Sequence, residues 1–128
     1  QARRYNSDLA LCLIRVDFET ANPQLGYDAA DRIFRSIGQI LSREIRGGDA
    51  LGRIDSQTFA LLMPQTSFKK GKILCNRLKP LLKEKHFKDQ GARIKITLGL
   101  AELKHEADEK DTEFLARAEE SLKNAWKH

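Results

Sequence analysis

The stretch from Arg46 to Pro64 constrains the fold most strongly, because it contains two strands and the turn between them. Gly47 and Gly48 end a preceding helical pattern, since glycine tolerates the left-handed conformation that helix ends often need. Residues 49–54 and 58–63 are predicted to be strands joined by a tight polar turn. The chain is therefore expected to contain an antiparallel hairpin that directly follows a helix.

Two further strands are predicted from patterns of different kinds. Residues 9–16 form an almost continuous apolar run, interrupted only at Arg15, which is typical of a central strand buried on both faces. Residues 93–100 alternate apolar and polar side chains, which predicts a half-buried strand.

Three segments repeat apolar residues at intervals of three and four, as one face of a helix does. The first helix is predicted over residues 28–45, after a loop or short helical turn at residues 22–26. Ser67 can cap the second, which is expected to kink or restart at Pro80 because proline lacks a backbone donor. The third begins at residue 111 or 112. This order of elements predicts an α+β sandwich of the ferredoxin-like or polymerase-palm kind, with a central antiparallel sheet flanked by helices.

Length and composition describe one ordinary globular domain. The chain has 128 residues, of which 41% are hydrophobic and 32% charged, with a net charge of +5. That charge fits anionic partners, but a lysine-rich solvated surface also produces it. No apolar run reaches the length of a membrane span, and no signal peptide is recognised. A cytoplasmic location is expected, including that of a cytoplasmic domain in a membrane-anchored protein.

The cysteines, histidines and lysines show no metal-binding or nucleic-acid-binding pattern. Cys12 and Cys75 have no motif spacing and are predicted to be free buried thiols in a reducing compartment. The lysines of the second helix are predicted to form a solvated face, because no aromatic platform accompanies them. Neither a metal, a cofactor nor a nucleic acid is expected as a partner.

Several motifs, in their order along the chain, resemble those of the GGDEF domain, the bacterial diguanylate cyclase family. Residues 25–31 are similar to its Tyr-Gly-His-Asp-Ala-Gly-Asp stretch, residues 97–101 to Ser-Ile-Gly-Val-Ala, and residues 117–125 to its closing helix. The family signature, Gly-Gly-(Asp/Glu)-Glu-Phe, corresponds to Asp55, Ser56, Gln57, Thr58 and Phe59. The family's opening helix has no counterpart, so residues 1–128 are expected to be a single degenerate domain from a longer multidomain protein.

The resemblance implies that cyclase chemistry has been lost. The family condenses two GTP molecules with divalent metals, which need carboxylate ligands. Its strand-end carboxylate corresponds to Arg15, or to Ile14 if no gap is allowed, and its signature carboxylate to Gln57. Its triphosphate-binding lysine corresponds to Trp126. The chain is therefore expected to have no catalytic residue and not to be an enzyme.

One nearby carboxylate, Asp17, is a candidate replacement for the lost metal ligand, with a structural or solvated role as the alternative. If Arg15 occupies the former metal position, its guanidinium should partly replace the charge of the cation. It is then expected to pair with Asp17 or Asp55.

A second family site, which binds the cyclase product, is preserved. Arg46 and Asp49 keep the spacing of its inhibitory RxxD motif and its offset from the signature, and Arg77 corresponds to a secondary inhibitory arginine. An arginine fork matches the O6/N7 edge of guanine, and a carboxylate can accept from N1 and N2. The resemblance thus implies cyclic di-GMP bound by these three residues. The alternative is a basic residue at a helix end followed by its glycine cap.

The family's guanine-binding pair corresponds to Asn22 and Asp31, which would form a remnant of the GTP site. The alternative is that Asn22 caps a helical turn and Asp31 stabilises a helix N-terminus.

These motifs favour an inactive domain that acts as a cyclic di-GMP receptor and reports ligand occupancy to other domains of the same polypeptide. One alternative is a GTP-binding regulatory domain for a linked phosphodiesterase. Another is a ligand-free module for homodimerisation or docking.

Overall fold

The computed structural model describes residues 8–19, 23–83, 87 and 93–102, together with the isolated positions 113, 116, 119 and 120, but not the side chains of residues 23–27. The elements are β1 (Leu9–Glu19), α1 (Pro23–Glu44), β2 (Ala50–Asp55), β3 (Thr58–Pro64), α2 (Phe68–Leu81) and β4 (Arg93–Glu102). Most of the predicted third helix lies outside the described residues, although its four isolated positions are helical.

The four strands form one antiparallel sheet in the order β2-β3-β1-β4. Strand β1 is central, because Leu13 lies opposite Ala60 of β3 and Gly99 of β4. Its residues 10–14 are all buried, as the apolar run predicts. The sheet with its helices is the predicted α+β architecture.

Both faces of β1 are covered by apolar side chains. On one face, alternate residues of β1 pack with α1 and α2 in the larger core, whose members include Ala10, Cys12, Ile14, Val16, Ile33, Phe34, Ile37, Leu41, Leu74, Cys75 and Leu78. On the other face, Leu11 and Leu13 pack with Ala101 in a smaller cluster. This arrangement explains why β1 lacks the alternation of a strand with one solvated face.

The ends of the helices differ in part from the sequence-based expectation. Helix α1 begins at Pro23 rather than at Asp28, because proline fits the first turn of a helix, where its missing N–H costs nothing. Ser67 caps α2 as predicted, accepting from the Lys70 N–H at 3.2 Å. Pro80 lies within the last turn of α2, which ends at Leu81, so no new helical segment starts at Pro80, and the kink expected there stays a prediction.

Among the described residues, no helix is long and apolar enough to cross a membrane.

Candidate functional site

Hydrogen bonds between Arg46 and Asp49 form a turn in the loop between α1 and β2. The backbone N–H of Arg46 donates to Asp49 Oδ2 at 2.9 Å, and the Asp49 N–H donates to the Arg46 carbonyl at 3.0 Å. Arg46 Nη2 also lies 3.5 Å from Asp49 Oδ1. Neither Gly47 nor Gly48 has the positive φ of a left-handed cap, so the predicted glycine cap was wrong. The helix end is instead followed by a turn that Asp49 holds.

The two side chains of this pair have opposite exposure. The Asp49 side chain is only 1% exposed, whereas that of Arg46 is 57% exposed. Arg46 Nη2 also donates to Thr66 Oγ1, and the Thr66 hydroxyl donates to the Pro64 carbonyl at 2.9 Å. Sequence reasoning missed Thr66, since one threonine after a strand gives no signal of its own. Asp49 and Thr66 therefore hold the Arg46 guanidinium in place, while much of the side chain remains exposed to solvent.

Arg77 joins α2 to the end of α1. Its Nη2 donates to the backbone carbonyl of Glu44 at 2.9 Å, and its Nε lies 3.3 Å from Glu44 Oε1. Glu44 is the last residue of α1, so Arg77 satisfies a carbonyl that the helix itself leaves without a donor. This contact places Arg77 beside the loop that carries Arg46.

A cavity of about 210 Å³ lies between this loop and α2. Its lining residues are Arg46, Met63, Thr66, Lys70, Ile73, Leu74 and Arg77. The structure thus brings Arg46 and Arg77 into one pocket, but Asp49 is not among the residues that line it. Three cationic side chains beside apolar ones suit a ligand that carries both negative charge and apolar surface.

The signature turn is fixed by its own polar groups and by β1. Asp55 Oδ1 accepts from the Gln57 N–H at 2.8 Å, and the Gln57 carbonyl accepts from the Val16 N–H at 2.8 Å. Arg53 donates from Nη2 to the Ser56 carbonyl at 3.1 Å, while its guanidinium carbon lies 4.1 Å from the centre of the Phe34 ring. The turn is therefore held by hydrogen bonds within the hairpin and by one from β1.

Arg15, which the resemblance aligns with a metal ligand of the family, forms an ion pair instead. Arg15 lies opposite Thr58, just after the signature turn, and its Nε is 3.4 Å from Asp17 Oδ1, which confirms the predicted pairing with Asp17. A guanidinium has no oxygen to offer a divalent cation, and the neutral amide of Gln57 brings none of the negative charge that a carboxylate would supply. Among the described residues, no group of three or more His, Cys, Asp or Glu side chains is placed to hold a metal. Trp126 lies outside them.

The predicted guanine-binding remnant is only half described. Asn22 lies outside the described residues. Asp31 is exposed and forms an ion pair at 3.3 Å with Arg35, one turn further along α1. Because α1 begins at Pro23, Asp31 lies two turns into the helix, so the alternative that it stabilises the helix N-terminus was wrong.

A four-stranded antiparallel sheet, two helices on one face and a hairpin turn beside the central strand define a palm-like α+β domain. The chain belongs to the GGDEF family, because the family model described as "Diguanylate cyclase, GGDEF domain" matches residues 1–128. The predictions of family and fold class are thereby confirmed.

Individual relatives agree with this assignment. Diguanylate cyclase DgcP of Pseudomonas aeruginosa is 28% identical over 127 residues, which cover 97% of this chain and 19% of DgcP. The active GGEEF domain of a diguanylate cyclase from Vibrio cholerae superposes with a TM-score of 0.81 at 21% identity, covering 98% of this chain and 81% of that one. The GGDEF domain of DgcB from Caulobacter crescentus, solved with c-di-GMP, superposes with a TM-score of 0.78 at 17% identity, covering 98% of this chain and 76% of that one. At these identities the solved structures show the fold.

Proposed function

We propose that this domain is a catalytically inactive receptor for cyclic di-GMP, which binds in the pocket between the α1–β2 loop and α2. The observation that carries this proposal is the convergence of Arg46 and Arg77 on one pocket, with Lys70 beside them. Arginine forks bind guanine edges and phosphates in two-pronged contacts, and cyclic di-GMP offers both. The apolar wall of Met63, Ile73 and Leu74 suits the face of a base. The complex of DgcB with c-di-GMP adds support from a relative.

The three predicted ligand residues have different roles in this proposal. Arg46 contacts the ligand, because its guanidinium is exposed and already held in place, which lowers the entropy cost of binding. Asp49 positions Arg46, since its buried oxygens face that residue and a direct contact with guanine would require the loop to open. Arg77 contributes a second and weaker contact, because it shares its donors with Glu44.

The domain would act within a larger protein. The chain spans about one fifth of the length of DgcP, 19% of it. We therefore propose that ligand occupancy is reported to other domains of the same polypeptide.

Equilibrium binding tests the proposal against its two alternatives. Calorimetric titration of the chain with cyclic di-GMP should give saturable heat, while GTP should give none. Binding of GTP alone would favour the regulatory domain linked to a phosphodiesterase. Binding of neither nucleotide would favour the dimerisation or docking module.

The chain should form no cyclic di-GMP from GTP in the presence of Mg²⁺ or Mn²⁺. Arg15 and Gln57 stand at the positions that would need to supply carboxylates, and Arg15 already pairs with Asp17. Chromatography of the reaction mixture after long incubation measures this. Product above a blank without protein that disappears in Asp17→Asn would show that Asp17 holds the metal.

Replacing Arg77 with alanine should weaken cyclic di-GMP binding about two- to fivefold, or about 0.5–1 kcal/mol, as expected for a partly solvated ionic contact. The effect is small because the side chain is half exposed and engaged with Glu44 in the free protein. Calorimetry measures the change, with Lys79→Ala as a charge-matched control on the same helix that does not line the pocket. An affinity equal to that of the parent would remove Arg77 from the site.

A further inference from the structure

Cys12 and Cys75 meet in the core, although they lie 63 positions apart in the chain. Cys12 is the fourth residue of β1 and Cys75 lies on the inner face of α2, and both are free thiols. Their sulfur atoms are 3.4 Å apart and share a hydrogen bond. No local pattern in the sequence indicates this contact, because it depends on how α2 packs across the sheet.

Helix α2 approaches β1 closely at this point. Gly71 precedes Cys75 by one turn, and a Cβ atom there would lie 3.1 Å from Leu100 Cδ1 and 3.6 Å from the Cβ of Ala10. The absence of a side chain at Gly71 therefore lets the helix lie against the sheet. A disulfide needs a sulfur–sulfur distance of about 2.05 Å, so a small rotation of either cysteine would have to bring the sulfur atoms roughly 1.4 Å closer.

The two thiols are unequal. The hydrogen bond between the two thiols lowers the pKa of Cys75, burial opposes this, and the positive charge of Lys79 lowers it further. The same hydrogen bond, together with burial, raises the pKa of Cys12. Cys75 also retains slight exposure, whereas Cys12 has none. Since the thiolate is the reactive form, Cys75 is the sulfur that would react first with an oxidant.

We propose that Cys12 and Cys75 form an oxidisable dithiol, which a hydroperoxide converts into an internal disulfide between β1 and α2. With hydrogen peroxide, the Cys75 thiolate attacks one oxygen, the O–O bond breaks, and hydroxide leaves and is protonated to water. Cys75 is then a sulfenic acid. The Cys12 sulfur attacks the Cys75 sulfur, the S–O bond breaks, and the hydroxide leaves as water with the Cys12 proton. Two thiols and one peroxide thus give one disulfide and two waters.

Mass spectrometry of the intact chain tests this proposal. The reduced chain is treated with hydrogen peroxide, quenched with catalase, unfolded and alkylated with iodoacetamide. The expected product has lost two hydrogens and takes up no alkyl group, and its digest contains a peptide pair joined through Cys12 and Cys75. Two alkylated thiols after peroxide treatment, or added oxygen without the cross-linked pair, would overturn the proposal.

Single variants test the order of the two steps. Cys12→Ala should leave Cys75 as a sulfenic acid that dimedone traps, whereas Cys75→Ala should leave Cys12 unmodified under the same conditions. The reverse pattern would overturn the assignment of Cys75 as the first sulfur to react. Circular dichroism checks that each variant is folded. Mass spectrometry of the parent chain shows whether the disulfide forms, and that result does not depend on either variant.

Discussion

Replacing Arg46 with alanine should weaken cyclic di-GMP binding roughly ten- to a hundredfold, or about 1–3 kcal/mol, the range for an arginine fork on guanine. The side chain lines the pocket, and its contacts with Asp49 and Thr66 hold it in place before the ligand arrives. Its loss should therefore remove a contact and also leave the buried Asp49 carboxylate without its charged partner. Calorimetry with cyclic di-GMP measures the affinity.

The matched control is Arg35→Ala. Arg35 is also an exposed arginine, with 77% of its side chain accessible, but it pairs with Asp31 on α1 and does not line the pocket. It removes the same charge from the protein, so any general electrostatic effect on an anionic ligand should appear in both variants. Equal affinities for Arg46→Ala and Arg35→Ala would place the ligand elsewhere. The unfolding midpoint of Arg46→Ala separates a loss of contact from a loss of folded protein.

Replacing Phe59 with alanine should lower the free energy of unfolding by about 3–5 kcal/mol, the usual cost of removing a buried phenylalanine. Phe59 is the last residue of the signature, and its ring centre lies 4.4 Å from that of Phe34 on α1. A Cβ atom at Gly38 would lie 3.5 Å from the same ring, so Phe59 fills the space between β3 and two turns of α1. Denaturation in urea, followed by circular dichroism, measures the loss.

Leu62 provides the control for Phe59 on the same strand. It is 36% exposed, so Leu62→Ala should cost about 1 kcal/mol or less. A cost for Phe59→Ala no greater than that of Leu62→Ala would contradict the packing described for the signature phenylalanine.

Much of the fold follows from local patterns in the sequence. The apolar run of β1 places apolar side chains on both faces of the strand. A strand of this kind is buried on both faces, which predicts a central position in the sheet. The hairpin is equally local, since a polar turn between two strands brings them together. Proline in the first turn of a helix is less informative, because the same residue also occurs in loops, and the start of α1 was therefore predicted five residues late.

The candidate site was predictable in position but not in geometry. The spacing of Arg46 and Asp49 places both residues in one loop, but it does not show that the carboxylate is buried beneath the guanidinium. The contacts of Arg46 with Thr66 and of Arg77 with Glu44 join elements that are far apart in the chain. Such contacts depend on how α2 packs beside α1 and against β1 and β4, and no local pattern encodes that packing.

The hydrogen bonds of the Arg46 side chain distinguish arginine from lysine at this position of the loop. Its side-chain contacts with Asp49 and Thr66 both involve a single nitrogen, Nη2, so they do not consume the other nitrogens of the guanidinium. A planar cation can hold its own loop with one edge and offer the other edge to a ligand. A lysine ammonium is a compact point charge on a flexible stem and has no second edge to offer. A lysine in place of Arg46 would therefore keep the positive charge but could not both hold the loop and offer a free edge to a ligand.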